Sequence, residues 1–220
     1  MDNMKMADSC AAGLVTGGGT REGMAVMGRY HVECVSPAKG YRAKYVRLRD
    51  QREIALSMGF PTAELDAAIA KIPMRTAWVE DFDNLVTNVG KDDFLDKYLK
   101  GSAYTQTIRM GLKGTGSAAA GDTQASHAGW LEQGLANAPT YTGNRKDVTM
   151  NSASGQASSS PTQAFAITST GTVHGCFINN GGSATKDNTT GVLFSAGDFS
   201  ASRAVINGDT LNVTYTLTLT

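Results

Sequence analysis

The chain has 220 residues, and its 20 Lys and Arg side chains balance its 20 Asp and Glu side chains, so no global charge bias directs it toward nucleic acid. It is long enough to bury a core, no stretch approaches the roughly 18 apolar residues of a membrane span, and we expect no signal peptide. The three cysteines, Cys10, Cys34 and Cys176, are isolated in the sequence. That spacing argues against a disulfide framework and a zinc site, and it favours synthesis in a reducing cytoplasm.

Residues 1–28 are rich in Met, Ala and Gly, with three consecutive glycines at 17–19. Such a segment has high backbone entropy and little apolar surface to bury by itself. We therefore predict an extended N-terminal arm that a neighbouring subunit holds in place. Residues 29–220 are predicted to form one β-rich domain.

Two early segments, residues 30–35 and 76–80, alternate between apolar and polar residues as strands do. The residues between them, 39–73, predict a basic and partly helical insertion. We favour a solvated helix face for its cations, and contact with an acidic partner surface or a phosphate backbone is the alternative. The basic cluster and its two tyrosines are Lys39, Tyr41, Arg42, Lys44, Tyr45, Arg47, Arg49 and Arg52.

Two short helices are predicted next. Leu65, Ile69 and Ile72 are spaced four and three residues apart, and Pro73 ends this first helix. We interpret its apolar stripe as packing surface, with a partner groove as the alternative. Residues 82–90 lead into the second helix, which Gly101 can cap. Its apolar face comprises Phe94, Leu95, Tyr98 and Leu99.

The C-terminal half consists of short predicted strands between turn signals. The last strand is the clearest, because apolar residues from Leu211 to Leu219 alternate strictly with Thr or Asn after the turn at 207–209. The fold class we predict is mainly β, a β-sandwich of jelly-roll type with short helices. The predicted strands are 107–112, 163–167, 173–178, 191–195 and 211–219, and residues 150–161 are predicted to be a long loop.

The sequence has no strong motif for catalysis or ligand binding. His31, His127 and His174 lie far apart and lack metal-ligand spacing. A triad of Asp122, Ser126 and His127 can be drawn on paper, but we favour a turn role for Asp122 and a satisfied hydrogen bond for His127 beside the nearby tryptophan. The glycine-rich runs lack the Lys-Ser or Lys-Thr ending of a phosphate-binding loop. We predict no enzymatic activity, no cofactor and no metal.

Three segments resemble a family of tailed-bacteriophage virion proteins: residues 82–99, residues 120–130 and the C-terminal strands from 171 onward. The most specific of these is the block at residues 122–130. It begins with Asp122-Thr123, continues with Ser126-His127 and ends at Trp130. The resemblance covers residues 29–36 and 76–220. The insertion at 39–73 and the longer glycine-rich arm depart from the family pattern.

The resemblance implies a small structural protein of the virion with no catalytic residues. We predict a capsid decoration or cement protein on the outer capsid surface, made in the host cytoplasm. Its partners would be the major capsid protein and copies of itself, with neither nucleic acid nor membrane as a partner. The alternatives are a tail, connector or fibre-associated protein, and a host-surface carbohydrate-binding module or enzyme. The candidate partner contacts are Met24, Tyr41, Arg42, Lys44, Tyr45, Arg47, Arg49 and Arg52.

Overall fold

The computed structural model describes residues 25–220 apart from residue 102 and residues 104–106. This part of the chain is mainly β, with ten strands and three short helices. The helices are α1 (Arg42–Ser57), α2 (Ala63–Ala70) and α3 (Asn88–Tyr98). The strands are β1 (Val26–Pro37), β2 (Met74–Val86), β3 (Ile108–Lys113), β4 (Glu132–Gln133), β5 (Lys146–Val148), β6 (Ala157–Ser159), β7 (Gln163–Ala166), β8 (Gly171–Asn180), β9 (Val192–Val205) and β10 (Thr210–Leu219).

The strand pairs of the described chain are all antiparallel. Hydrogen-bonded neighbours follow the order β4-β3-β8-β9-β2-β1-β10-β6, with β5 beside β3 and β7 beside β10. Strand β2 connects the two halves of this path, which are β4-β3-β8-β9 and β1-β10-β6. Most of β2 pairs with β1, and its last residues, 84–86, pair with β9. The predicted β-sandwich-like class is confirmed. The jelly-roll strand order stays a prediction.

Side chains from both halves of the sheet share one core. Tyr30 and Val32 of β1 are fully buried with Met110 and Leu112 of β3. On β10 the predicted alternation has the expected effect, because the apolar positions at 211, 213 and 215 are buried and the Thr and Asn residues between them are half-exposed. The period of two in the sequence therefore marks the buried face of this strand.

The two ends of the described chain lie side by side. Strand β1 pairs with β10 from Val26 opposite Leu219 onward. Just beyond the strands, the N–H of Ala25 donates to the carbonyl of Thr220 at 2.7 Å, and the reverse bond is 3.0 Å long. Residues 26–28 thus belong to the sheet and not to an arm, which corrects the predicted boundary at residue 28. The rest of the predicted arm, residues 1–24, lies outside the described residues.

Three strand predictions need correction. The predicted loop at 150–161 contains β6, which pairs with the edge of β10. Residues 82–86 belong to β2, and β9 continues ten residues beyond the predicted end at 195. Strand β6 is Ala-Ser-Ser, and the outer half of β9 is rich in Ser and Ala. Small polar residues of this kind give no apolar alternation from which a strand is recognised.

The helices occupy the predicted regions, since α1 and α2 fall within the insertion at 39–73. Helix α3 begins after Thr87, whose hydroxyl oxygen accepts a hydrogen bond from the N–H of Gly90 at 3.0 Å, as an N-cap does. Gly90 also lies against strand β9, where an added Cβ would be 2.3 Å from the carbonyl oxygen of Phe194. This close contact fixes α3 against β9, at one end of the sandwich.

Candidate interaction surface

Helices α1 and α2 form a helical hairpin, and α1 contacts the turn between β9 and β10. Arg42 donates to the carbonyl of Asn207 at 2.8 Å and forms an ion pair with Asp209 at 2.8 Å. The Asp209 carboxylate is buried, and it also accepts a hydrogen bond from the hydroxyl of Ser36 at 2.7 Å. Gly208, in the same turn, has a φ of +95° and lies under the helix. The turn predicted at 207–209 is therefore the base of the hairpin.

Arg49 forms the second attachment of the hairpin to the sandwich. Its side chain is only 8% exposed. The guanidinium donates to the carbonyl of Ile167 at 2.7 Å and to the side-chain oxygen of Asn207 at 2.8 Å. Hydrogen bonds from a charged group to buried acceptors are among the stronger polar contacts in proteins, so this side chain restrains where the helix lies.

The two helices of the hairpin are joined by Arg52, which donates to the carboxylate of Asp66 in α2. The hydroxyl of Thr62 donates to the same carboxylate at 2.8 Å. Helix α2 itself has no buried residue, although all of its residues are described. Its apolar stripe is thus only partly covered. Ile72, just beyond the helix, is buried, as the interpretation of the stripe as packing surface predicts, whereas Leu65 and Ile69 are only half-buried.

The end of the hairpin at the C-terminus of α1, where the chain turns toward α2, exposes large apolar side chains. We call these residues the hairpin tip. Side chains of this size seldom lie exposed together on a monomer without a function, and such patches mark interaction surfaces. The tip consists of Ile54, Leu56, Met58 and Phe60, which are 60%, 48%, 63% and 57% exposed.

A groove runs along α1 between the tip and the base. Its walls include Val46, Arg47, Asp50, Gln51 and Ile54, and it ends at Asn207. Apolar groups, a cation and a carboxylate thus lie along one side of the helix. This arrangement suits a partner surface that is apolar with charged groups at its margin.

The structure separates the eight candidate contacts into groups. Arg42, Arg49 and Arg52 hold the hairpin in place through bonds within the subunit. Lys44 and Arg47 are exposed, as the solvated-face interpretation predicts, whereas Arg49 contradicts it. Tyr41 is exposed, Tyr45 is half-buried, and Met24 lies outside the described residues. Sequence reasoning missed the hairpin tip, although its run of apolar residues at 54–60 was visible.

The block at 122–130 is a structural turn and not a catalytic triad. The Asp122 carboxylate accepts from the indole N–H of Trp130 at 2.9 Å. The Nδ1 of His127 donates to the carbonyl of Trp130 at 3.0 Å, and its ring stacks on the indole. The predicted roles of Asp122 and His127 are confirmed. Because Trp130 is 2% exposed, it offers no platform on which a sugar ring could stack.

A buried charged network lies beside this block. Arg145 binds both carboxylate oxygens of Glu132, at 2.9 and 2.6 Å, and the two side chains are 0% and 2% exposed. Lys113 is fully buried, pairs with Asp198 and donates to the carbonyl of Gly116. Burial lowers the pKa of Lys113, and Asp198 opposes that effect. A lysine with a lowered pKa is a candidate nucleophile, but solvent does not reach this one.

An apolar cavity of about 330 Å³ lies between α3 and the ends of the sandwich strands; we call it the end cavity. Asn180 lies at its polar margin and donates to the carboxylate of Asp93 at 2.7 Å. The apolar residues of its wall are Phe94, Ile108, Met150, Ile178, Phe194 and Leu217.

Within the part of the chain that the structure describes, no group of three or more His, Cys, Asp or Glu side chains is arranged to hold a metal ion. None of the described helices is long and apolar enough to cross a membrane. No model of a known protein family matches the chain, and no curated protein matches its sequence.

Proposed function

We propose that this protein is a structural subunit of a tailed-bacteriophage particle, a decoration or cement protein that binds the outer surface of the capsid. The hairpin formed by α1 and α2 is the surface through which it binds the major capsid protein. The protein acts by binding alone and performs no catalysis.

The observation that supports this proposal is the hairpin tip on its rigid base. Four large apolar side chains are exposed at one end of a hairpin, while Arg42 and Arg49 bond the other end to the sandwich. A partner that covers the tip gains hydrophobic free energy without the entropic cost of ordering a loose segment. The assignment to a virion comes from the resemblance of residues 82–99, 120–130 and 171–220 to phage structural proteins.

The mechanism we propose is multivalent stabilisation of the shell. Each subunit contacts neighbouring capsomers, and modest contacts sum over the lattice of the capsid. A subunit that binds only the assembled shell stabilises it by mass action. The exposed cations Lys44 and Arg47 lie on the same helix as the apolar tip, nearer its base, so the part of the capsid surface that contacts this side of the helix is expected to be acidic.

The test is the number of copies of this chain in purified virions, measured by quantitative mass spectrometry against the major capsid protein. A copy number in a simple ratio to the capsid protein supports the decoration role. A copy number that suits one ring or one trimer overturns it and favours a tail or connector protein. Absence from purified virions overturns both.

A further inference from the structure

A cleft in which three cations meet lies at the base of the hairpin, next to the groove along α1; we call it the basal cleft. Strands β1 and β2 bring two of the cations together, because Arg75 at the start of β2 pairs with Ser36 and Lys39 follows the end of β1. The third, Arg42, is the first residue of α1. Besides these cations, the walls of the cleft consist of Pro37, Ala38, Gly40 and Ile206.

Two of the three cations have no partner within the subunit. The side chains of Lys39 and Arg75 are exposed and make no hydrogen bond or ion pair with the described residues. Arg42 differs, because the carboxylate of Asp209 and the carbonyl of Asn207 hold its guanidinium in place. The charge of Asp209 offsets that of Arg42, and the walls of the cleft contain no carboxylate. The cleft therefore carries two uncompensated positive charges.

The main chain beside these side chains also favours an anion. Helix α1 begins in the wall of the cleft with no side-chain N-cap and no acidic residue in its first turn. The first N–H groups of a helix have no acceptor within it, and the helix dipole stabilises negative charge beside them. Gly40, just before the helix, has a φ of +88°, and the space that a Cβ would enter is open. An anion can therefore approach the main chain as well as the cations.

A phosphate group matches this cleft better than a carboxylate does. A phosphate monoester carries about −1.5 to −2 charges at pH 7, close to the charge that the cleft leaves uncompensated, and its three oxygens can accept from several cations at once. A carboxylate carries a single charge. The cleft has a volume of about 610 Å³, which leaves room for an organic group beside the phosphate. Pro37 and the exposed Ile206 offer that group apolar contacts.

We propose that the basal cleft binds the phosphate group of a small phosphomonoester. Lys39 and Arg75 donate to the phosphate oxygens, Arg42 lies beside them, and the organic part of the ligand contacts Ile206. The proposal is independent of the proposed function, because it concerns the subunit alone and not its contact with a capsid.

Titration of the full-length protein with phenyl phosphate, followed by NMR of the backbone amides, tests the proposal. We expect saturable shifts at residues 38–44 and at residue 75. Lys39→Gln combined with Arg75→Gln should weaken binding about tenfold or more, because the phosphate loses two charged donors. The matched control is Arg47→Gln combined with Lys91→Gln. It removes the same charge from exposed positions outside the cleft and should leave the affinity within about twofold.

Two further probes identify the chemistry of the ligand. Benzoate has the same ring with a single charge, and inorganic phosphate has the charge without the ring, so both should bind several-fold more weakly than phenyl phosphate. Equal binding of benzoate would overturn the assignment to phosphate. Equal binding of inorganic phosphate would overturn the assignment to a phosphomonoester. Absence of saturable shifts, or an equal loss of affinity in the two double variants, would overturn the site itself.

Discussion

The guanidinium of Arg49 donates a 2.7 Å hydrogen bond to the main-chain carbonyl of Ile167, and this contact links α1 to the sandwich. Arg49 is the one buried residue of α1, whose residues are all described. The one buried side chain of this helix is therefore charged and held by hydrogen bonds, and no large apolar side chain of the helix is buried.

Arg49→Met should lower the free energy of unfolding by about 2–4 kcal/mol, because the acceptors at Ile167 and Asn207 lose a charged donor. Urea denaturation measures this loss. The control is Arg47→Met, on the exposed side of the same helix, which should change stability by less than about 0.5 kcal/mol. Equal effects of the two variants would show that the buried bonds do not restrain the helix.

Replacing one partner of the buried pair between Arg145 and Glu132 should be more damaging than replacing both. Arg145→Met alone leaves the Glu132 carboxylate buried without its cation, which is expected to cost about 3–5 kcal/mol. The double variant Arg145→Met with Glu132→Gln should lose less than the sum of the two single losses. A double-mutant cycle by denaturant unfolding measures the coupling. Strict additivity would contradict the prediction.

The Glu80 carboxylate should make stability depend on acidic pH. Hydrogen bonding from Ser200 outweighs the burial that would raise its pKa, Arg203 adds to the effect, and the pKa falls to about 2 from its usual 4.5. A pKa that is lowered in the folded state gives a stabilisation that is complete above the unfolded value and is lost as pH falls toward the folded value.

Glu80→Gln should therefore be less stable than the unaltered protein at pH 6, and the difference should shrink between about pH 4.5 and about pH 2. Unfolding free energies of both proteins across this range measure it. A difference that stays constant down to pH 2 would exclude a lowered pKa for this carboxyl.

Cys34 and Cys176 should resist thiol reagents while the protein is folded. Burial, with the charge of Asp209 nearby, raises the pKa of Cys34 to about 12, and burial also raises the pKa of Cys176. Because the thiolate is the reactive form, neither should react with a disulfide reagent at pH 8. The full chain carrying Cys10→Ser isolates these two thiols. Both should react in denaturant, and rapid reaction without denaturant would contradict their burial.

The proposed binding to capsids predicts that the hairpin tip is needed for that contact but not for folding. Ile54→Asp should prevent cosedimentation with shells of the major capsid protein, because a charge must then be desolvated at the contact. Leu131→Asp is a matched control, since both side chains are 60% exposed and Leu131 lies outside the hairpin. Both variants should unfold at the same urea concentration as the unaltered protein. Full binding by Ile54→Asp would exclude the tip as the contact.

The sequence predicts those elements whose signal is local. The alternation along β10 predicts both the strand and its buried face, and the stripe from Leu65 to Ile72 predicts a helix where α2 lies but not how little of it is buried. The burial of Arg49 could not be predicted in this way, because its acceptors on Ile167 and Asn207 are 118 and 158 residues distant in the chain. A cation in a basic run has the same local signal whether it is solvated or buried.

For the candidate surface too, the features with a local sequence signal could be predicted and those that depend on distant contacts could not. The helical insertion and its exposed cations Lys44 and Arg47 are predictable from composition and periodicity. Which cations hold the hairpin in place, and which apolar side chains stay uncovered, depends on the turn at 207–209 meeting α1. That contact joins parts of the chain with no local relation in sequence, so only the folded structure reveals it.

The pairing of β1 with β10 makes residues 25–220 suitable for circular permutation. Ala25 and Thr220 exchange two hydrogen bonds, so in a variant without residues 1–24 a short glycine linker could join them and turn β1 and β10 into an ordinary hairpin. New ends could be opened at the exposed residues 151–155. A permuted domain of this kind would keep its sheet, and a protein fused to its new ends would be attached at residues 151–155.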